Sequence, residues 1–295
     1  MRRPRWISGI VFLALLTALA TPRSATPAAA QGARPSRIIS LIPAVTEMLF
    51  AIGAGPQVIA VSSFDEYPSE VKGLERVGAL LDPNLERILA LKPDLVIVYG
   101  SQEDLIAQLT RAGIPIYSYR HEGLAGVTAT IRHVGDRVGR ATQAATLVRQ
   151  IDERMSDIRR RVAGRSRPRT LLVFGREQGT LRGLYASGGR GFLHDMLTAA
   201  GGENIFADIA RESVQATTEL VLARQPEAIL EVRAGPLDQT AVTKEAAVWD
   251  ALPAIPAVRT HRISVLVDPR IVIPGPRVAE GTELLARALH PDTFK

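Results

Sequence analysis

Short apolar runs alternate along the chain with longer stretches whose apolar residues recur every three or four positions. Residues 37–41 (RIISL) read as a strand. Pro43 leads into a helical segment from Thr46 to Ile52, closed by Gly53. Residues 57–62 predict a second short strand. Residues 84–91 carry Leu85, Ile88, Leu89 and Leu91 at helical spacing. Lys92-Pro93 stops that helix, because a residue before proline is pushed out of the α region. Residues 94–99 (DLVIVY) are apolar on both faces, as a strand inside a parallel sheet must be. A helix over 102–112 and a strand over 114–119 follow. Such alternation is the signature of an α/β unit.

Residues 123–164 break the alternation. Val127, Ile131, Val134 and Val138 fall at helical spacing, and Leu147, Ile151, Met155, Ile158 and Val162 continue it beyond Gly139. The pattern predicts two helices, the second ending at Gly164. Alternation then resumes with strands over 170–174, 228–232 and 263–267 and helices over 192–200, 218–224 and 278–289. Residues 86–94 (ERILALKPD) are echoed by residues 219–227 (ELVLARQPE), Glu86 matching Glu219 and Pro93 matching Pro226 at a constant offset of 133. An echo of this kind argues for two similar units. The expected fold is α/β, with two Rossmann-like lobes on parallel sheets, residues 37–140 and 169–295. A long rigid helix in the connector 141–164 joins them. A ligand cleft is expected between the lobes, beyond the carboxyl ends of the strands.

Hydrophobic residues make up 46% and charged residues 22% of the 295, which excludes a disordered or collagen-like chain. The formal charge of +6 at first suggests an acidic partner. Its placement removes that suggestion. Residues 1–5 are basic, residues 6–20 almost wholly apolar, and Ala28-Ala29-Ala30 offers a small-residue cleavage site, so residues 1–30 read as a cleavable signal peptide. The apolar run is shorter than the ~20 residues that span a bilayer. This leader holds Arg2, Arg3, Arg5 and Arg23 and no acid, which lowers +6 to +2 for the remainder. The absence of cysteine excludes disulfides, thiol catalysis, cysteine metal sites and a lipid-bearing N-terminal cysteine. The expected product is a soluble periplasmic protein that is not a lipoprotein. The basic run from Arg159 to Arg169 lacks interleaved aromatics, so it reads as a solvated helix end and no nucleic-acid partner is expected. No enzyme is expected either, a secreted enzyme on the same fold being the distant alternative. There is no G-x-S-x-G, H-E-x-x-H or P-loop motif, and the five histidines lack zinc-site spacing.

Five segments carry a family likeness: residues 37–53 (RIISLIPAVTEMLFAIG), 62–68 (SSFDEYP), 77–101 (VGALLDPNLERILALKPDLVIVYGS), 200–206 (AGGENIF) and 218–229 (TELVLARQPEAI). Together they resemble the periplasmic substrate-binding proteins of ABC importers built on a helical backbone, which serve cobalamin, haem and ferric siderophores. The likeness runs from Arg37 to Pro291 and is strongest to the cobalamin branch. It implies a monomer without a resident cofactor. The captured ligand is cobalamin or a related corrinoid, with haem or a ferric siderophore as the alternative. The implied partner is an ABC permease and ATPase complex in the inner membrane, docked through Glu86 and Glu219. Phe64 and Tyr99 match aromatic positions that pack on the macrocycle. Leu80 and Ser213 stand where the cobalamin branch has two further aromatics, and Ala79 where many haem binders have a tyrosine ligand. The strand ends add Ser101, Gln102, Arg120, His121, Arg176, Arg233 and Arg270 as ligand-binding candidates, the arginines as forks for carboxylate, phosphate or amide oxygens. His121 is a candidate axial metal ligand.

Overall fold

The first half lays down β1 (Ile38–Ser40), β2 (Val58–Val61), β3 (Glu75–Arg76), β4 (Leu95–Tyr99) and β5 (Ile116–Tyr119). In the computed structural model, which describes residues 34–294 except 234 and 236, these strands form one all-parallel sheet in the order β3-β2-β1-β4-β5. The expected leader, residues 1–30, lies outside the described residues. β1 is buried throughout and β4 over all but its last residue, which is why neither alternates. Helices α1 (Pro43–Ala51), α2 (Leu85–Ala90) and α3 (Glu103–Arg111) supply crossovers.

Two helices follow, α4 (Leu124–Arg137) and α5 (Ala141–Val162). Gly139 sits between them at φ 73°, a left-handed turn that a side chain would strain. α5 has 22 residues, a rod of ~33 Å at 1.5 Å per residue. It buries Ala144, Val148, Ile151, Met155, Ile158 and Val162, spaced alternately four and three apart, so one stripe faces the core.

The second half contains β6 (Arg169–Gly175), β7 (Leu184–Ser187), α6 (Phe192–Ala199), β8 (Glu203–Asn204), β9 (Ser213–Ala216), α7 (Thr218–Arg224) and β10 (Ala228–Arg233). It ends with α8 (Gln239–Ala247), α9 (Pro256–Arg259), β11 (Ile263–Val267), α10 (Pro269–Val272) and α11 (Val278–Leu289). The sheet order is β11-β10-β6-β7-β9, with β8 beside β6. This sheet is parallel-rich rather than all-parallel: β7 runs antiparallel to both β6 and β9. Only residues 176–183 join β6 to β7, too few for the crossover a parallel neighbour needs. The core β11-β10-β6 remains parallel.

The sequence echo is a structural one. β4 enters the first sheet beside β1, and β10 enters the second beside β6. Asp94, just before β4, accepts the backbone N–H of Arg37 at 2.8 Å; Glu227, just before β10, accepts that of Arg169 at 2.9 Å. Each arginine then reaches back to the end of the preceding helix. Arg37 donates to the Leu91 carbonyl and Arg169 to that of Arg224. Lys92 and Gln225 both turn the chain at φ 47°. The helices start alike too, Asn84 capping the N–H of Arg87 and Thr217 that of Leu220.

One apolar core runs through both halves. Ile38, Met48 and Ile97 belong to the same cluster as the α5 stripe, Leu172, Leu230 and Leu285. α11 packs on α5 and α6. The chain from Arg34 onward accordingly forms one compact unit. The core crosses the expected divisions at 37–140, 141–164 and 169–295.

Candidate functional site

The carboxyl ends of β2, β3 and β4 lie along one edge of the first sheet. The loops there leave large apolar groups in solvent: Phe64 is 73% exposed, Leu80 40% and Leu81 93%. Ser101 is exposed at the same edge, just after β4. Buried polar contacts hold these loops. Gln102 accepts the Tyr99 N–H at 2.9 Å and donates to the Leu80 carbonyl at 3.0 Å. Gln102 is therefore a buried strap between two loops. Asp65 is buried behind Phe64 and accepts the Ser62 N–H at 2.9 Å and the Ser62 hydroxyl. Burial pushes its carboxyl above the ordinary 3.8, against the pull of the Ser62 donors.

A chain of rings crosses from the first half to the second. Tyr99 meets Tyr119 edge-on at 5.9 Å, Tyr119 meets His121 at 6.5 Å, and His121 meets Phe192 edge-on at 4.9 Å. His121 and Phe192 line a pocket of about 410 Å³ with Phe174, Arg190, Glu212 and Ser213. Burial lowers the His121 pKa, opposed by the charge of Glu212, so its imidazole is neutral at neutral pH. Its Nδ1 lies 3.2 Å from the Tyr119 hydroxyl, whose pKa burial raises. The second-half wall depends on glycine. A Cβ on Gly188 would lie 2.2 Å from the Arg211 carbonyl oxygen, and one on Gly189 2.1 Å from that of Ala207. Only glycines let the 188–191 loop lie against 207–211 and bring Arg190 to the pocket.

The predicted arginines divide into committed and open. Arg176 has a fully buried side chain inside an ion-pair network. It donates to Glu231 at 3.0 Å, to the Glu245 carboxylate at 2.7 Å and to the carbonyls of Glu177, Thr180 and Glu245. Arg233 pairs with the same two carboxylates at 2.6 and 2.9 Å. The Trp249 indole also donates to Glu231. Arg270 makes a bidentate pair with Asp268 and a third bond to Glu280. The expectation that Arg176, Arg233 and Arg270 present forks to a ligand is therefore corrected for the structure as it stands, because internal carboxylates occupy them. Arg120 is exposed and has no side-chain bond among the described residues.

The family model described as periplasmic binding protein matches residues 38–269. The chain belongs to this family, in its helical-backbone branch. Periplasmic binding proteins of this family are non-enzymatic components of transport. An uncharacterised ABC transporter substrate-binding lipoprotein of Bacillus subtilis is 34% identical, over 88% of this chain and 82% of that protein. A vitamin B12-binding protein of Salmonella typhimurium is 35% identical over 66% of this chain and 71% of its own. The solved periplasmic haem-binding protein of Roseiflexus sp. RS-1 superposes with a TM-score of 0.73 at 26% identity, covering 88% of this chain and 99% of that one. Among the described residues no helix is long and apolar enough to cross a membrane, and no group of three or more His, Asp or Glu is placed to hold a metal ion.

In this periplasmic binding protein Glu86 and Glu219 are exposed, each the second residue of its short helix. The Glu219 backbone N–H and the Thr217 hydroxyl hold the Glu219 carboxyl below its ordinary value. Phe174, Arg190, Phe192 and Glu212 line the pocket without having been singled out from sequence. The legible signal was the run Ser187-Gly188-Gly189-Arg190-Gly191-Phe192, a glycine-rich loop opening a helix.

Two outcomes follow from these placements. Arg176→Ala leaves Glu231 and Glu245 short of a buried partner and should cost about 3–5 kcal/mol in urea denaturation, with ligand affinity per folded molecule intact. Lost affinity at unchanged stability would return Arg176 to the cleft. Because Asp65 binds its proton more tightly folded than unfolded, stability should fall as pH rises from 3.8 through the raised pKa. Urea titrations across this range should show a flatter pH slope for Asp65→Asn; an unaltered slope would refute the assignment.

Proposed function

We propose that the chain is the periplasmic receptor of an ABC importer and captures cobalamin or a related corrinoid. The observation that carries this reading is the apolar rim. Phe64, Leu80 and Leu81 stand in solvent at the carboxyl ends of strands, where a folded protein normally hides such groups. A large flat ligand would bury them, and their exposure makes sense as a surface waiting for one. The ring chain ending at His121 and Phe192 supplies the opposite wall. Arg190, Arg120 and Glu212 supply polar contacts for substituents at the periphery of the ligand. The vitamin B12-binding relative supports the same reading.

Haem is the second reading, and His121 favours it. A neutral imidazole lining the pocket is a competent axial ligand once its Nδ1 proton is donated to the Tyr119 oxygen. The haem-binding neighbour supports this alternative.

Delivery requires a docking surface for the permease. Glu86 and Glu219 suit it because the echo sets them on equivalent helices, exposed in both halves. A two-fold permease calls for equivalent charges on each half of a receptor that meets both its subunits. Arginine forks would pair with them bidentately. Export as a soluble, lipid-free monomer completes the reading.

Cyanocobalamin, haemin and a ferric hydroxamate should be titrated into the purified protein, with intrinsic fluorescence and the Soret band as readouts. Saturable quenching by cyanocobalamin is expected. No response to it, together with a haemin Soret shift lost in His121→Ala, would replace the first reading by the second. The double variant Glu86→Ala, Glu219→Ala should abolish uptake and leave ligand affinity unchanged; an unaltered uptake rate would refute the docking role.

A further inference from the structure

A second concave region runs along α6 to the end of α5. One pocket of about 380 Å³ is lined by Leu124, His194 and Asp195 together with Arg159, Arg167, Thr198 and Ala199. An adjoining pocket of about 300 Å³ shares the last four of these residues and adds Arg165 and the Val162–Gly164 turn. Neither shares a residue with the His121 pocket. Phe192 at the start of α6 faces that pocket, and Ala199 at its end faces this one, roughly 10 Å along the helix.

The walls are rich in donors. Three guanidiniums stand against a single carboxylate, Asp195, and one oxygen of Asp195 already accepts the Leu124 N–H at 2.9 Å. The neighbouring arginines are committed: Arg160 and Arg161 pair with Asp157, and Arg169 donates to the Arg224 carbonyl. Arg159 and Arg165 are different. Among the described residues their side chains make no hydrogen bond or ion pair. Arg167 spends one N–H on the Gly202 carbonyl at 3.1 Å and keeps the rest. His194 lines the same wall, its Nδ1 3.3 Å from the Asn204 amide nitrogen. The local field is felt beyond the pocket: His290 titrates below its ordinary value through burial and through the charges of Arg262 and Arg165.

Charges left uncompensated in a concavity repel one another and gain from a multivalent anion. Guanidinium forks match the oxygens of a tetrahedral oxyanion, two N–H groups to each pair of oxygens. From this we infer that the paired pockets at the end of α5 form a binding site for a phosphate group, separate from the transport ligand's pocket. The group is carried either on a free phosphate or on the headgroup of an anionic phospholipid. The site shares no lining residue with the His121 pocket, so both can be occupied at once.

The test uses the exported chain and inorganic phosphate. Melting temperature is followed against sodium phosphate, with sodium chloride at matched ionic strength as the reference. A saturable rise specific to phosphate is expected. The double variant Arg159→Gln, Arg165→Gln should weaken the apparent affinity about tenfold or more. These two side chains hold no partner, so the variant should match the parent in circular dichroism and in melting temperature without phosphate. In parallel, co-sedimentation is measured with phosphatidylglycerol vesicles and with phosphatidylcholine vesicles. A phosphate response without vesicle binding assigns the free anion as the source. Binding to phosphatidylglycerol alone, lost in the variant, assigns the lipid headgroup. An equal response to chloride, or a phosphate response the variant retains, overturns the site. So does the absence of both responses.

Discussion

The two halves hold their cleft open because they share one core, and α5 is the element that makes the core common. Its stripe of Ala144, Val148, Ile151, Met155, Ile158 and Val162 is buried against residues from both sheets. α11 closes over the same helix. A second tie lies closer to the rim. Arg277 at the start of α11 grips Glu47 of α1 with two bonds of 2.6 and 2.8 Å and lies 3.9 Å over the Tyr67 ring. Burial raises the Glu47 carboxyl while the Arg277 fork opposes it. Opening the halves widely would expose the stripe and strand this ion pair, so large hinge motion is disfavoured. A receptor of this kind recognises its ligand with a nearly preformed surface.

The repeated strand entry explains why the two halves can present matching faces. In each, an acid after a proline fixes the start of the adjacent strand, and an arginine caps the helix before it. Glu86 and Glu219 ride on helices whose beginnings and ends are set by the same contacts. Their equivalence follows from backbone geometry rather than from their own interactions, since both are exposed. The divergence lies on the other side of each unit. The first half offers apolar rim residues, while the second offers a glycine loop, an aromatic wall and a buried ion-pair network.

Much of this was legible in the chain because the signals were local. The helix ends at Lys92-Pro93 and Gln225-Pro226, the break at Gly139 and the stripe on α5 all depend on near neighbours. The antiparallel β7 was not read, because Leu184–Ser187 and Ser213–Ala216 are too short to alternate convincingly. The site was legible only in part. Phe64 and Tyr99 were expected from the family resemblance and His121 from its place after a strand; all three lie near strand ends. Arg176, Arg233 and Arg270 obey the same positional rule yet are tied to Glu231, Glu245, Asp268 and Glu280. Whether an arginine is committed depends on carboxylates up to 69 positions away, and no local pattern encodes that.

That division of arginines also bears on what the cleft can select. Pairing Arg176 and Arg233 with two carboxylates removes four charges from the second half without sending any of them to a ligand. What remains around the His121 pocket is one open cation, Arg190, one anion, Glu212, and aromatic surface. Such a lining discriminates weakly by charge and strongly by shape, since flat apolar area contributes most of the gain on binding. A small hydrophilic anion would leave the rings and the Phe64–Leu81 rim in water. A broad ring system covers them and still meets the two opposite charges at its edge. Arg159 and Arg165, which also lack side-chain partners among the described residues, lie at the end of α5, away from the pocket lining. On the proposed reading, selection of the transported ligand and attraction of anions fall to different parts of the surface.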